Sequence, residues 1–344
     1  MHPALSTALT AYASYRAYSH KSLTPAGIFA AIVTAVIHAI HPFSTLTMCL
    51  LFGFYFVGNS ATKYKHSIKE TLTLSSTNSG GGGATTRTHI QVLSNSICAS
   101  VLILAHYILI RDDITANKEI TFSLVRGGGV AGWKDALIVG VMTQYAAVLS
   151  DTLSSELGIL SRSKPRLIYN PLKSVPPGTN GGVTAAGFIS GFFGSVWIAI
   201  IAILAVPLSP AHKNDNSFKV TLAGVIVAAG VFGTILDSLL GATLQASVID
   251  VKAGKIVESE GGEKVLIKSG RSPSFGGAAR KRVAVRSEGI DATAKTKAVE
   301  GGAEGEGSRK VLSGVDLLSN NGVNVLMAGV MAAGGVYWGW WFVQ

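Results

Sequence analysis

The sequence predicts an all-α, polytopic helical bundle in a membrane, with about eight transmembrane helices and a long hydrophilic insert before the last. Three observations carry that prediction. The 344 residues are 48% hydrophobic and only 14% charged, with a mean hydropathy of +0.41. Soluble domains carry about 25% charged residues, so a bilayer is needed to account for the missing charge. Apolar runs long enough to cross a hydrocarbon core recur along the whole chain. The cations are also shared unevenly between alternate loops, the pattern that orients membrane proteins.

The first run, about residues 4–18, is interrupted by Arg16 and rich in Ala, Ser and Tyr. It lacks a basic n-region and a clear cleavage site, so it reads as a short helix rather than a signal peptide. Seven continuous runs follow, at about 24–40, 43–61, 90–110, 136–158, 183–206, 220–246 and 322–343. The last ends in Tyr337-Trp-Gly-Trp340-Trp341, an interfacial aromatic belt. Gly187, Gly191 and Gly194 are spaced to let membrane helices approach closely. Cys49 and Cys98 lie inside apolar runs and read as packing residues. The chain is therefore expected to divide into a transmembrane core (1–246), a hydrophilic, partly disordered cytosolic insert (247–319) and a last transmembrane helix that completes the core (320–344), the core being where any catalytic residues are expected. Residues 71–86, with Gly80 to Gly83 in a row, read as a flexible linker. Within the insert, Lys264–Lys268 and Arg282–Arg286 suit a small hairpin, and about 287–309 suits disorder.

The net charge of +10 comes from 29 Lys+Arg against 19 Asp+Glu. In a membrane protein this excess speaks to orientation, and nucleic acid is not the expected partner. With eight helices, 22 of the cations fall on one side and 6 on the other, or 9 against 6 without the long insert. The loops after residues 61, 158 and 246 are therefore expected in the cytosol and both termini on the opposite side.

The polar residues crowd that cytosolic end. Asn59, Thr62 and Lys63 close the third helix, and Arg87, Gln91 and Asn95 open the fourth, as one stripe if that helix starts by about residue 86. Asp151, Ser155 and Glu156 end the fifth. Gly178, Thr179, Asn180, Gly181, Gly182 and Thr184 lead into the sixth, where freed backbone amides can cradle phosphate. Asp237, Ser238, Gly241 and Gln245 lie in the seventh, and Asn320, Asn321 and Asn324 start the eighth. Each motif also has a bland reading. Asn and Gln can be interhelical glue, the glycines a tight turn, and Lys63 and Arg166 snorkelling anchors. An acid inside a membrane helix is costly and marks function, which singles out Asp237, and Asp151 with Glu156. Those last two lie about 140° apart on an ideal helix, so serving one metal requires a frayed end or separate partners. At the other end, Asp112, Asp113 and Gly127–Gly129 read as loop chemistry. The histidines do not cluster, and His38 and His41 read as interfacial. No Ser-His-Asp or CxxC pattern is visible.

Asp151-Thr-Leu-Ser-Ser-Glu-Leu-Gly158, Pro165-Arg-Leu-Ile168, Gly178-Thr-Asn-Gly-Gly-Val-Thr184, Asp237-Ser-Leu-Leu-Gly-Ala242 and Asn320-Asn-Gly-Val-Asn324 resemble the transmembrane protein 19 family. Arg87, Gln91 and Asn95 also fit its pattern. The resemblance covers about residues 20–343, and the family includes the plant phytyl-phosphate kinase of the vitamin E pathway. It implies transfer of the γ-phosphoryl of a nucleoside triphosphate, CTP, to a prenyl monophosphate, giving the diphosphate with Mg²⁺. Asp151, Glu156 and Asp237 are then assigned to the metal, and Lys63, Arg87 and Arg166 to phosphates. The 178–182 loop would give amides to the triphosphate, and Asn320 and Asn324 would shape the site. The glycine tract at 80–83 and the long insert depart from the family pattern.

Two other readings stay open. A transporter of a small anion or lipid also needs polar groups in helices, although transporters favour midplane sites and repeats. A cytidylyl or phospholipid-head transferase would use the same metal and nucleotide but release pyrophosphate. The absence of an Arg/Ser-rich transit peptide points to the endoplasmic reticulum rather than the plastid envelope. Prenyl length and oligomeric state are not legible.

Overall fold

The computed structural model describes residues 1–76, 86–125, 133–258, 260–262, 265 and 309–344. Its helices are α1 (Pro3–Ser19), α2 (Pro25–Ile40), α3 (Ser44–Lys63), the short α4 (His66–Leu72), α5 (His89–Leu109), α6 (Arg111–Thr115), α7 (Ala136–Gly158), α8 (Ala185–Ala205), α9 (Pro210–Lys213), α10 (Asn216–Leu244) and α11 (Asn320–Val343). Local chemistry sets many of their starts. Thr24 accepts from Gly27 N with Pro25 in the first turn, Thr88 and Gln91 form a capping box, and Thr184, Asp215 and Ser319 each cap the helix that follows.

Among the described residues, six helices, α3, α5, α7, α8, α10 and α11, are long and apolar enough to cross a membrane. The expected first two spans are also helices, but of 17 and 16 residues. Both still run end to end. The Met1 amino group donates to Ser44 Oγ at the start of α3 (2.7 Å), whereas Ser22, just after α1, accepts from Arg87 N just before α5. At 1.5 Å per residue, α1 and α2 reach about 24–26 Å.

The bundle is built around α7. Every residue from Ala136 to Ser150 is buried, and 83% of its apolar window lies inside the protein, against 28–44% for the other spans. It packs against α3, α5, α8, α10 and α11. Contact that close needs small residues. Gly140 faces Val336 and the Ala332 carbonyl of α11, Gly233 of α10 lies on Ala147, and Gly191 of α8 abuts Ser150.

Two small sheets depart from the all-helical expectation, and both sit at the same end. In one, β2 (Arg166–Leu167) pairs antiparallel with β3 (Asn170–Ser174) and β4 (Gly182–Val183). The other has the order β1 (Leu74–Ser75), β6 (Lys255–Glu258), β5 (Ser247–Asp250), β7 (Arg309–Ser313), with β1–β6 parallel and the rest antiparallel. Strands of two to five residues are too short for alternation to register in a sequence, and β1 pairs with a strand some 180 residues away. Both ends of the region read as an insert are thus tied to the core. The glycine tract 80–83, the Gly127–Gly129 turn, nearly all of the proposed hairpin segments 264–268 and 282–286, and residues 287–308 of the segment expected to be disordered lie outside the described residues.

The histidine reading is corrected. His38 and His41 are fully buried rather than interfacial, and His41 meets His106. At the far end of the bundle Phe43 N–H donates to His41 Nδ1. His41 Nε2 then contacts His106 Nδ1 (2.9 Å), and His106 Nε2 contacts Asp135 Oδ1 (2.9 Å). One proton per contact makes this a directional chain that satisfies buried groups at three loop junctions. His38 instead bonds the Tyr145 hydroxyl and the Thr34 carbonyl.

The seam between α7 and α11 gives a paired test. A side chain at Gly335 would strike the Thr143 hydroxyl, whereas Gly334 has nothing within 4 Å. Gly335→Leu should cost about 1–3 kcal/mol, read as a lower melting temperature in detergent, and Gly334→Leu should melt like the parent.

Candidate active site

At the end marked by the two sheets lies a cavity of about 500 Å³. Its walls come from the C-terminal turns of α3, α7 and α10, the N-terminal turns of α5 and α11, the 178–184 loop, α4 and the β5–β6 hairpin. An antiparallel bundle brings alternate helix starts and finishes to one end, and this is how distant motifs become neighbours.

Of the residues singled out in the sequence, Arg87, Gln91, Asn95, Asp151, Glu156, Gly178, Thr179, Asn180, Gly181, Gly182, Thr184, Asp237, Ser238, Gln245, Asn320, Asn321 and Asn324 all line this cavity. Three do not. Lys63 is exposed on the outer face of α3. Arg166 is exposed on β2, with Nη1 donating to the Pro171 carbonyl (2.6 Å). Asn59 faces a separate apolar cavity.

The three acids assigned to one metal do not form one cluster, and the described residues contain no group of three or more metal-type side chains. Asp151 of α7 and Asp237 of α10 come within hydrogen-bonding reach of each other. Asn324, oriented to donate, bridges Asp237 Oδ1 and the Asn320 carbonyl, each at 3.3 Å. Glu156 turns to another wall, as its angular offset from Asp151 on the helix dictates. Its Oε2 takes a 2.7 Å ion pair from Lys69 Nζ, and its Oε1 accepts from the Thr62 hydroxyl (2.9 Å). Arg87 Nη2 in turn donates to Thr62 Oγ1 (2.7 Å). Arg87–Thr62–Glu156–Lys69 is therefore one hydrogen-bonded chain that links the residue just before α5 to α3, α7 and α4.

Lys69 is the residue the sequence reading missed. Its ammonium also donates to the Ala61 and Thr62 carbonyls at the end of α3 (2.8 and 3.2 Å), leaving the side chain almost fully buried. Nothing in the sequence separates it from Lys63 and Lys65, because the turn between α3 and α4 decides which lysine faces inward. Glu258 of β6 is a second addition. The residue as a whole is exposed at the end of β6, but desolvation of its carboxyl at the cavity wall pushes it above the usual range and neighbouring Glu156 adds to that, while a hydrogen bond from Thr73 and the charge of Lys69 oppose it.

The glycine-rich loop is also corrected. Gly178 and Gly181 have φ of +83° and +70°, values that favour glycine. A methyl on Gly181 would strike Ala242 and the Ser238 carbonyl of α10, and one on Gly178 would strike Thr73. Gly181→Ala would therefore disturb packing, contrary to a loop whose glycines serve only a phosphate. Several amides of the loop are already used: Asn180 N donates to Ser247 Oγ, Gly182 N to the Thr179 carbonyl and Thr179 N to the Pro176 carbonyl. The loop lines the cavity as a packed turn. Asn321 also plays a structural part, donating to the Gly261 carbonyl (2.9 Å).

Among the described residues, five acids line the cavity (Asp151, Glu156, Asp237, Glu258 and Asp316), with Lys69 and Arg87 as permanent cations. Two carboxylates beside amide oxygens are hard donors, and Mg²⁺ commonly takes one or two carboxylates and completes its shell with water and substrate phosphates. The Asp151–Asp237 pair fits that ion.

The Glu258 shift has a pH consequence. A carboxyl raised above its unfolded value gives stability that is complete below that value and lost as pH rises through the folded one. Glu258→Gln should therefore melt like the parent near about pH 4 and above the parent near about pH 8. Equal melting temperatures at both would show that burial of this carboxyl costs nothing.

Comparison with known proteins locates the chain. The family described as "Integral membrane protein DUF92" matches residues 8–332. Protein PGR of Arabidopsis thaliana is 31% identical over 249 residues, 72% of this chain and 81% of that protein. An uncharacterized membrane protein of Methanocaldococcus jannaschii, MJ0933, is 37% identical over 108 residues, 31% of this chain and 40% of its own. Protein VTE6, chloroplastic, of Arabidopsis thaliana is 22% identical over 247 residues, 68% of this chain and 64% of that protein. No solved structure matches the chain.

Proposed function

Because the chain belongs to the DUF92 family of integral membrane proteins, we propose that it is a membrane-embedded kinase of lipid phosphates. It moves the γ-phosphoryl of a nucleoside triphosphate, CTP, to a prenyl monophosphate. The single observation that carries this reading is the Asp151–Asp237 pair inside a cavity that also holds Arg87 and Lys69. The similarity to VTE6 and the transmembrane protein 19 motifs support it.

The chemistry asks little of the protein in bond making. A phosphate monoester is already ionised near neutral pH, so its oxygen can attack the γ-phosphorus without a strong base. The bond from that phosphorus to the bridging oxygen breaks, and the nucleoside diphosphate leaves. The difficulty is repulsion between anions, which positioning and charge neutralisation must overcome. Bound Mg²⁺ would supply that neutralisation, held by Asp151 and Asp237, with Asn324 orienting the second carboxylate. Arg87 is tethered through Thr62 to Glu156, which fixes its guanidinium for an acceptor phosphate. Lys69 holds Glu156 in place and so acts as a positioning residue. Lys63 and Arg166, on the surface, have no part in the bond change.

A site at one end of the bundle also fits an enzyme that meets a soluble nucleotide better than a midplane transport site does. The expectation of the endoplasmic reticulum gains no support from the relatives, one of which is named as chloroplastic; a plastid membrane is the better reading. The decisive assay incubates the purified protein with Mg²⁺, γ-labelled CTP or ATP and a panel of prenyl monophosphates. Labelled prenyl diphosphate with release of the nucleoside diphosphate is expected. Release of pyrophosphate would make the protein a cytidylyl transferase, and no product from any donor would refute the enzyme reading.

A further inference from the structure

A second cavity, of about 110 Å³, lies between α1, α2, α3 and α5. Beside Thr10 and Ser14 of α1, its deeper lining is apolar or small: Ala13 of α1, Ala31 and Ala35 of α2, and Leu51 and Phe54 of α3. Its mouth is different. Arg87, just before α5, and Gln91 and Asn95 on it line both this cavity and the acidic one, so the same three side chains form the wall between them. From Asn59 at the mouth to Leu51, eight residues of α3 span about 12 Å, all towards the far end of the bundle. There Thr34 and Ser96 contact each other through their hydroxyls (3.3 Å), joining α2 to α5 across the floor.

Close-packed interiors do not keep apolar voids without cost, and this one begins at a guanidinium. A ligand that fits both features has an anionic head and a hydrocarbon tail. We propose that the cavity between α1, α2, α3 and α5 receives the isoprenoid tail of the acceptor, with its phosphate at Arg87 and its first carbons beside Gln91, Asn95 and Asn59. This rests on the kinase reading and deepens it, because it assigns the two substrates to opposite sides of one wall. The acceptor enters from the side of α1 and α2, and the nucleotide occupies the side of Asp151 and Asp237. Ala31, Ala35 and Ala13 then set how long a tail is accepted. Each is a position where a larger side chain would fill the tail's path without touching the acidic cavity. The arrangement also gives α1 a task, since this short helix closes one side of the pocket.

The test reads binding rather than turnover. Equilibrium binding of radiolabelled geranyl, farnesyl and geranylgeranyl monophosphate to the full-length protein is compared for the parent, Ala35→Leu and Ala13→Leu. These two variants approach the pocket from different helices, so one remains informative if the other fails to fold, and a melting curve checks each. The expected result is a loss of about tenfold or more for the geranylgeranyl compound, a smaller loss for the geranyl compound and unchanged CTP binding. Full tail-length dependence retained in both folded variants would overturn the pocket while leaving the kinase reading intact. Failure of the parent to bind any prenyl phosphate would overturn both.

Discussion

Two carboxylates from different helices, Asp151 of α7 and Asp237 of α10, meet at the base of the larger cavity. Placing like charges together inside a membrane bundle is unfavourable unless a cation or a proton is shared between them. The surrounding architecture serves that juxtaposition. α7 is enclosed on all sides, so Asp151 has a fixed origin. α10 is drawn against it through Gly233 on Ala147, and its C-terminal end is held by Gly181 of the loop packed on Ala242 and Ser238. Asn324 completes the arrangement from α11.

Glu156, Lys69 and Arg87 are engaged with one another rather than with this pair. Glu156 is neutralised by Lys69 and steadied by Thr62, and Thr62 is the link to Arg87. Breaking such a partly buried pair by removing one member leaves the other unsatisfied, so this chain ties the orientation of Arg87 to α4 and α3. The β5–β6 hairpin, backed by β7, and the 260–262 turn close over the same space, through Glu258 and through the bond from Asn321 to Gly261. The region first read as a hydrophilic insert therefore supplies part of the cavity wall.

Much of this was legible in the sequence because apolar runs and intramembrane acids are strong signals. The helix positions, the convergence of motifs at one end and the singling out of Asp151 and Asp237 follow from run length, loop parity and the cost of burying charge. What escaped depended on short-range geometry. Whether Lys63 or Lys69 turns inward is fixed by the left-handed Lys65 between α3 and α4. Gly181 reads equally well as a phosphate cradle or as a packing glycine until α10 is seen against it. His41 and His106 are 65 residues apart, and only the fold brings them to 2.9 Å. The short strands carry no periodicity to detect.

On the proposed reading, Asp151 and Asp237, without Glu156, hold the divalent cation. Mn²⁺ is a paramagnetic stand-in for Mg²⁺, and its binding to the purified full-length protein with CTP present can be followed by electron paramagnetic resonance. Asp151→Asn and Asp237→Asn should each weaken protein-dependent Mn²⁺ binding by about tenfold or more, whereas Glu156→Gln should retain it. Equal Mn²⁺ binding by the parent and both aspartate variants, or loss only in Glu156→Gln, would contradict the account.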